Sequence, residues 1–191
     1  MLLGACWLLI SWLLGSFPTG VVLATLQADV DIRGQGSGNI GATNMNRVLG
    51  RGFGVATLVV DLLKGLLAVL GAGLLWPEGP AAYPAACGLL AFVGHCWSPL
   101  LDFRGGKGVA TGAGVMLALA PAAASLAGLA WLVVVAITRR SSLAALVAVA
   151  LLPLLTLWLA PSRLPVALLL GAGIVWRHRE NLARLRAGTE R

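Results

Sequence analysis

Long stretches of this sequence carry no charge, and the points where charge returns divide the chain into elements. Residues 1–28 are uncharged. They lack the basic start of a signal peptide, so they read as a true first span. Residues 52–76 form a second apolar stretch, ended by Trp76-Pro77-Glu78-Gly79-Pro80 with its two prolines. A third span lies within the uncharged residues 79–101. Residues 108–138 are uncharged over 31 positions, with Pro121 inside. Residues 141–162 hold another span and residues 164–176 a short last one, before a charged tail at 177–191. A helix needs about 20 apolar residues to cross about 30 Å of hydrocarbon. The pattern therefore predicts an all-α integral membrane protein.

Residues 108–138 admit two readings, one long kinked span or a hairpin turning near Pro121. Lys and Arg favour cytoplasmic loops, and this bias decides. With a hairpin there are seven spans, and one side holds Arg33, Arg47, Arg51, Arg104, Lys107, Arg139, Arg140 and the five tail arginines. The other side holds only Arg163, and Lys64 lies within a span. With a single span the basic residues divide almost evenly. We expect seven spans, the N-terminus outside and the C-terminus cytoplasmic. The chain of 191 residues then forms one transmembrane domain over 1–191. Its cytoplasmic motif loops fall at 29–51, 95–108 and 139–142, with the tail at 177–191. Two spans, 108–120 and 164–176, are short, roughly 20 Å each at 1.5 Å per residue. Lys107 stands at the cytoplasmic end of one, Arg177 and His178 at that of the other. Polar groups below the membrane surface must face a cavity or each other. The expectation is a recessed basic pocket, open to the cytosol and bordered by lipid.

Composition agrees with lipid as the solvent. The apolar fraction is 59% and mean hydropathy is +0.90, with 11% of residues charged, against about 25% in soluble domains. The net charge of +7 reads as basic loops at an anionic leaflet rather than nucleic-acid binding. Cys6, Cys87 and Cys96 show no metal spacing, and an odd count argues against a disulfide framework. Buried thiols are expected. The tryptophans read as interfacial anchors.

Three polar clusters carry candidate chemistry. The first loop holds Gly34, Gly36, Gly38 and Gly41, with Ser37, Asn39, Thr43, Asn44 and Arg47 among and after them. Glycines let a backbone approach a ligand closely and expose N–H groups. The neutral side chains add donors, and Arg47 adds a fork suited to phosphate. A short helix is expected from Asn39, its N-terminus favouring an anion. The second loop contains His95, Asp102 and the run Arg104-Gly105-Gly106-Lys107-Gly108. This run is half of a nucleotide phosphate loop, lacking its upstream glycine and the following Ser/Thr. It predicts phosphate contact without a nucleotide fold. His95 is either structural or a ligand contact; its spacing to Asp102 is not that of a four-spaced His–Asp pair. In the third cluster, His178 and Asn181 are three apart and share a helix face. Asp61 and Lys64, also three apart within the second span, read as a structural ion pair.

These segments carry a resemblance. GSGNIGATNMNR at 36–47, DLLKG at 61–65, GH at 94–95, FRGGKGVAT at 103–111 and RHRENLARLRAGTE at 177–190 resemble, in order and spacing, the bacterial acyl-phosphate-dependent glycerol-3-phosphate acyltransferases. The resemblance covers nearly the whole chain. It implies a cytoplasm-facing enzyme of the bacterial inner membrane that moves an acyl group from acyl phosphate to the sn-1 hydroxyl of glycerol 3-phosphate. The products would be 1-acylglycerol 3-phosphate, the first phospholipid precursor, and phosphate. It implies Ser37, Arg47, Lys107, His178 and Asn181 as functional positions. Gly36, Gly38, Asn39, Gly41, Thr43, Asn44, His95, Arg104, Gly105, Gly106 and Gly108 are the expected substrate-binding set. Neither metal nor cofactor is expected. The partners would be the two substrates, membrane lipid and the enzyme supplying acyl phosphate, with no nucleic acid. The residues themselves leave the proton acceptor open between His178 and a substrate phosphate oxygen. Ser37 is expected to donate a hydrogen bond rather than act as nucleophile. An organic-phosphate transporter is the competing reading, although it would favour repeated halves, which the sequence lacks. The aspartates Asp29, Asp31, Asp61 and Asp102 are too dispersed for a metal-dependent lipid phosphotransferase.

Overall fold

The first apolar stretch is not one helix. In the computed structural model, which describes residues 2–190, it divides into α1 (Leu2–Ser16) and α2 (Thr19–Ala28), bent by 46° at Phe17-Pro18. Pro18 has no N–H to donate and its ring clashes with the preceding turn, so a helix breaks there. The first span expected over 1–28 is bent at this point. Next come α3 (Ala42–Leu49), α4 (Arg51–Leu75), α5 (Tyr83–Cys96), α6 (Val109–Leu119), α7 (Pro121–Thr138), α8 (Ser141–Leu159), α9 (Leu164–Arg177) and α10 (Arg179–Arg186). Three single 3₁₀ turns lie at Ile32–Gly34, Pro99–Leu101 and Pro161–Arg163. Among the described residues there is no strand. Among the described residues four helices are long and apolar enough to cross a membrane, five if α1 and α2 count as one broken span. α6, with 11 residues, is a shorter apolar helix.

The distribution of side chains along α4 is that of a protein in lipid. Its buried face is Gly54, Thr57, Asp61, Lys64, Gly65, Ala68, Val69 and Ala72, mostly small or polar. Its exposed face carries Val55, Leu58, Val59, Leu63, Leu67, Leu70 and Leu74. A water-soluble helix would reverse this arrangement. In lipid the hydrophobic effect does not drive helices together, so small residues that allow close backbone packing occupy the interfaces.

The chain divides into two compact units, Met1–Val115 and Met116–Arg191. In the first, α1 packs along α5 and both pack on α4. The α1–α5 contact is backbone against backbone: a Cβ added at Gly15 would lie 1.9 Å from the Ala91 carbonyl oxygen, and one at Gly94 would lie 2.2 Å from that of Trp12. α4 meets α6 in the same manner through Gly65 and Gly114. Trp7 donates its ring N–H to the Ala68 carbonyl at 2.9 Å. It is therefore an interhelical contact, not the interfacial anchor expected. Among the described residues the three thiols form no disulfide; Cys87 and Cys96 are buried as expected, while Cys6 is exposed. In the second unit α7 packs along α8, and α8 along α9.

The break at Pro18 determines what surrounds it. The Ser16 and Phe17 carbonyls lie at the bend, and side chains from elsewhere in the unit donate to them. Ser98 Oγ donates to Ser16 O at 2.6 Å, and Lys64 Nζ donates to Phe17 O. Thr19, opening α2, donates its hydroxyl to Asp61 Oδ1 at 2.9 Å, and Lys64 Nζ donates to the same oxygen at 2.6 Å. The Asp61–Lys64 ion pair expected from the spacing is thus formed, and it braces the bend. A buried ion pair is tolerable when further hydrogen bonds satisfy both partners, and the broken helix supplies them.

Candidate active site

The first glycine-rich loop is a built scaffold rather than a flexible linker. Asn44 is almost fully buried, and its side chain ties the loop together. Its Oδ1 accepts from the Ser37 N–H at 2.9 Å, and its Nδ2 donates to the Gln35 carbonyl at 3.0 Å. Gly36 and Gly38 take positive φ, +58° and +70°. At Gly36 a Cβ would also lie 2.3 Å from Asn44 Oδ1. Only glycine meets both conditions there. Asn39 Oδ1 accepts the Gly41 N–H at 2.8 Å, and α3 starts at Ala42 with Gly41 as its N-cap. The helix thus begins three residues after the expected Asn39.

The Asn44 amide, expected among the substrate-binding groups, is engaged within the loop. The Ser37 and Gly41 N–H groups likewise serve the loop. The side chains of Ser37, Thr43 and Arg47 are exposed; Thr43 lies in the first turn of α3 and Arg47 in its last. The start of α3, beside Thr43, is the end that favours an anion.

The second loop is mounted on the end of α5. The Gly105 and Gly106 N–H groups donate to the Cys96 and His95 carbonyls at 3.2 and 3.0 Å. These bonds hold the loop on the helix end. His95 is buried, with Nδ1 3.8 Å from Asp61 Oδ1. Its other ring nitrogen backs onto Gly106, where a Cβ would lie 2.1 Å from Nε2. The Asp61–Lys64 cluster, His95 and the Gly105–Gly106 turn thus form one packed series. The turn delivers Lys107 immediately before α6. Gly108 permits the reversal with φ +78°, and a Cβ there would lie 2.1 Å from the Phe92 ring. Lys107 is half-buried, next to the N-terminus of α6, and both features favour an anion.

A cleft of about 510 Å³ opens beside the two loops of this unit, lined by Asp31, Arg33, Gly34, Gly38, Asp102 and Arg104. Arg33 grips Asp31 with two hydrogen bonds of 3.0 and 2.9 Å. The side-chain bond from Arg33, then that from its backbone N–H, holds the Asp31 carboxyl below its ordinary value. The two charges largely offset each other, and Asp102 and Arg104 add one further charge of each sign to the lining.

In the second unit His178 caps the junction of α9 and α10, and Asn181 lies in the first turn of α10. Both are buried, at 2% and 4% exposure, although they sit in a run of arginines. The His178 Nδ1 is 2.8 Å from the Ile174 carbonyl. A carbonyl can only accept, so Nδ1 carries the proton. In the neutral ring Nε2 is then the nitrogen with a lone pair. Asn181 Nδ2 donates to Glu190 Oε1 at 2.6 Å. Glu190 ends the segment 177–190 but was not singled out as a site residue, since at nine residues from Asn181 nothing in the sequence pairs the two.

The family model for glycerol-3-phosphate acyltransferases matches residues 5–188. The chain belongs to the glycerol-3-phosphate acyltransferase family. It is 46% identical to the glycerol-3-phosphate acyltransferase of Trichlorobacter lovleyi, over 100% of this chain and 97% of that one. It is 49% identical to that of Pseudomonas syringae pv. tomato, over 97% and 96%. Its structure is similar to that of PlsY (YgiH), an integral membrane glycerol 3-phosphate acyltransferase, in the glycerol 3-phosphate form. The TM-score is 0.91 at 37% identity, covering 98% of this chain and 94% of that one. The lysophosphatidic acid form gives 0.89 at 36% identity. The chain is thus a multi-pass membrane acyltransferase of lipid biosynthesis, and the glycine-rich and arginine-rich loops are parts of a glycerol-3-phosphate acyltransferase.

Proposed function

We propose that the chain transfers a fatty acyl group from acyl phosphate to the sn-1 hydroxyl of glycerol 3-phosphate. The products are 1-acylglycerol 3-phosphate (lysophosphatidic acid) and phosphate, and the reaction is the first step of phospholipid biosynthesis. The observation that carries this reading is the near full-length likeness to an enzyme crystallised in glycerol 3-phosphate and lysophosphatidic acid forms. Those two molecules differ by one acyl group, as an acceptor differs from its product.

Acyl phosphate brings its own leaving group. Transfer then asks the protein for orientation and charge stabilisation more than for a nucleophile. The acceptor oxygen attacks the acyl carbonyl carbon, and a C–O bond forms. The tetrahedral oxyanion collapses, the bond to the phosphate oxygen breaks, and phosphate leaves with that electron pair. Arg47 offers a two-pronged contact to a phosphate. Lys107 supplies positive charge for a phosphate or for the oxyanion, and Ser37 donates a hydrogen bond. His178 Nε2 takes the hydroxyl proton, or a substrate phosphate oxygen does; the tautomer fixed by Ile174 suits the first route. Asn181 contacts substrate. Thr43 and Arg104 add contacts to the anions. The reaction as drawn requires neither metal nor cofactor.

The setting is the bacterial inner membrane. One domain of seven spans, the first broken at Pro18, has its C-terminus and motif loops in the cytoplasm. Its donor comes from a separate enzyme that makes acyl phosphate. The test is to offer the purified protein glycerol 3-phosphate with acyl phosphate, acyl-CoA or acyl carrier protein in separate reactions and to analyse the product. Product from acyl phosphate alone, acylated at sn-1, is expected. Product from acyl-CoA would contradict the donor assignment, and a 2-acyl product would contradict the position.

A further inference from the structure

The cleft of the first unit carries charges that suit neither a plain anion nor a plain cation. Two aspartates and two arginines line its 510 Å³. Asp31 and Arg33 are committed to each other. The Arg33 guanidinium is held above its ordinary value by the Asp31 hydrogen bond and charge, and further by the Asp102 charge, so Asp102 faces the same opening. Among the described residues, the Asp102 carboxylate and the Arg104 guanidinium have no hydrogen-bonded or ion-paired partner of their own. They are one open acceptor and one open donor, two residues apart. A dianion would meet Arg104 but also both carboxylates. A zwitterion, anionic at one end and cationic at the other, matches the pair.

The setting selects the kind of zwitterion. α2 is the second half of the broken first span and ends at Ala28, three residues before Asp31. The cleft therefore begins where the apolar span gives out, at the depth of lipid headgroups. Leu100 and Phe103 flank its lining residues in the chain and are 62% and 61% exposed. Asp102 and Phe103 both take left-handed backbone, φ +50° and +61°, which is costly for a bulky side chain and persists only where its surroundings enforce it. Here hydrogen bonds do so. Phe103 N–H donates to the Ser98 carbonyl at 2.9 Å and Arg104 N–H to that of Leu101 at 2.8 Å. Ser98 is itself buried and donates to the Ser16 carbonyl. The loop thus holds an aromatic ring out of the protein beside a charged cleft, and aromatic rings favour the boundary between headgroups and hydrocarbon.

We propose that this cleft binds the headgroup of a zwitterionic membrane phospholipid with a primary ammonium, the ammonium on Asp102, the phosphate on Arg104, and the apolar part of the lipid against Phe103 and Leu100. A primary ammonium donates three hydrogen bonds. A trimethylammonium donates none, and a glycerol headgroup has no cation to set against Asp102. Arg104 is shared with the substrate anions of the acyltransfer reading, so the lipid is measured with no substrate present.

The test offers the purified full chain in detergent an equimolar mixture of phosphatidylethanolamine, phosphatidylcholine and phosphatidylglycerol with identical acyl chains. Native mass spectrometry counts the lipids retained. Phosphatidylethanolamine should be retained about 5-fold over each of the others, the scale of one exposed ion pair. Asp102→Asn keeps a residue that tolerates the left-handed backbone; it should lose the preference while melting like wild type. Asp102→Gly, free to adopt that φ, should lose it too and covers the case in which the first variant folds poorly. Phe103→Gly relieves the backbone, so it should melt at or above the wild-type temperature while retaining less phosphatidylethanolamine. Equal retention of the three lipids would overturn the proposal, and so would a preference that survives in folded Asp102 variants. A preference for phosphatidylglycerol would overturn it as well, because Arg104 would then act as a plain cation. Retention is read without turnover. A chain that shows the preference but no transfer to glycerol 3-phosphate would sink the acyltransfer reading and leave this site standing.

Discussion

Lys64 shows at one residue how membrane burial changes the meaning of a charge. It is 5% exposed, and its ammonium donates to Asp61 and to the Phe17 carbonyl at the Pro18 break. Lys64→Met takes that cation from Asp61 and from the carbonyl, and should cost about 3–5 kcal/mol, the usual loss when one member of a buried pair is removed. Lys64→Met with Asp61→Asn should be less destabilised than the single variant, as read by thermal melting in detergent. Glu190 titrates outside the spans. Burial pushes its carboxyl up, but hydrogen bonds from Ser142, Arg184 and Asn181, with the Arg184 charge, hold it below the ordinary 4.5. A carboxyl lowered on folding stabilises the fold fully above its unfolded value. That contribution should fade as the pH falls from about 4.5 through the lower folded value. In Glu190→Gln this part of the acid dependence should vanish from melting curves taken between pH 6 and about pH 3. The sequence made Asp61 and Lys64 legible as a pair because they are one helical turn apart. It did not reveal what they satisfy, since the partners are 42 and 47 positions away.

Among the elements, the apolar stretches were legible because lipid demands them. Helices α4, α5, α7 and α8 fall within the expected stretches to within a few residues, and so do the shorter α6 and α9. The Pro121 break between α6 and α7 was readable from proline and from charge together. The equivalent break at Pro18 was not, because no loop charge accompanies it. The start of α3 was misplaced because Asn39 caps a turn rather than a helix. Helix packing makes its own prediction. Gly15→Ala drives a Cβ into the Ala91 carbonyl and should cost about 1–3 kcal/mol, as overpacking does. Gly73, on α4, has nothing within 4 Å, and Gly73→Ala should leave the melting temperature unchanged or raise it slightly. For the second loop, Gly106→Ala pushes against His95 and should raise the KM for glycerol 3-phosphate. His95→Ala in the same chain removes the obstructing ring and should recover part of that loss. If His95 instead touched the substrate, the double variant would be worse than Gly106→Ala alone.

At the scale of the whole molecule, a chain with 59% apolar residues and only 11% charged can be stable only with its large side chains in lipid. The exposed leucines and valines of α4 and α7 fit that requirement. Charge asymmetry predicts the orientation: a cysteine placed at position 107 should react with an impermeant reagent only from the cytoplasmic side. Labelling only from the outside would contradict it. From residue type alone the motif loops read as phosphate sites. The division of labour inside them was not legible, because Asn44, Gly105 and Gly106 hold loops through contacts that only the folded chain displays. The central claim is that Arg47 and Lys107 serve a glycerol 3-phosphate acyltransfer. The most direct measurement is phosphate release from acyl phosphate by purified protein, with and without glycerol 3-phosphate, beside Arg47→Ala and Lys107→Ala. Release that requires glycerol 3-phosphate and is lost in both variants, with their melting temperatures unchanged, is the predicted result. Folded wild-type protein that releases no phosphate, or variants that release it at the wild-type rate, would contradict the account.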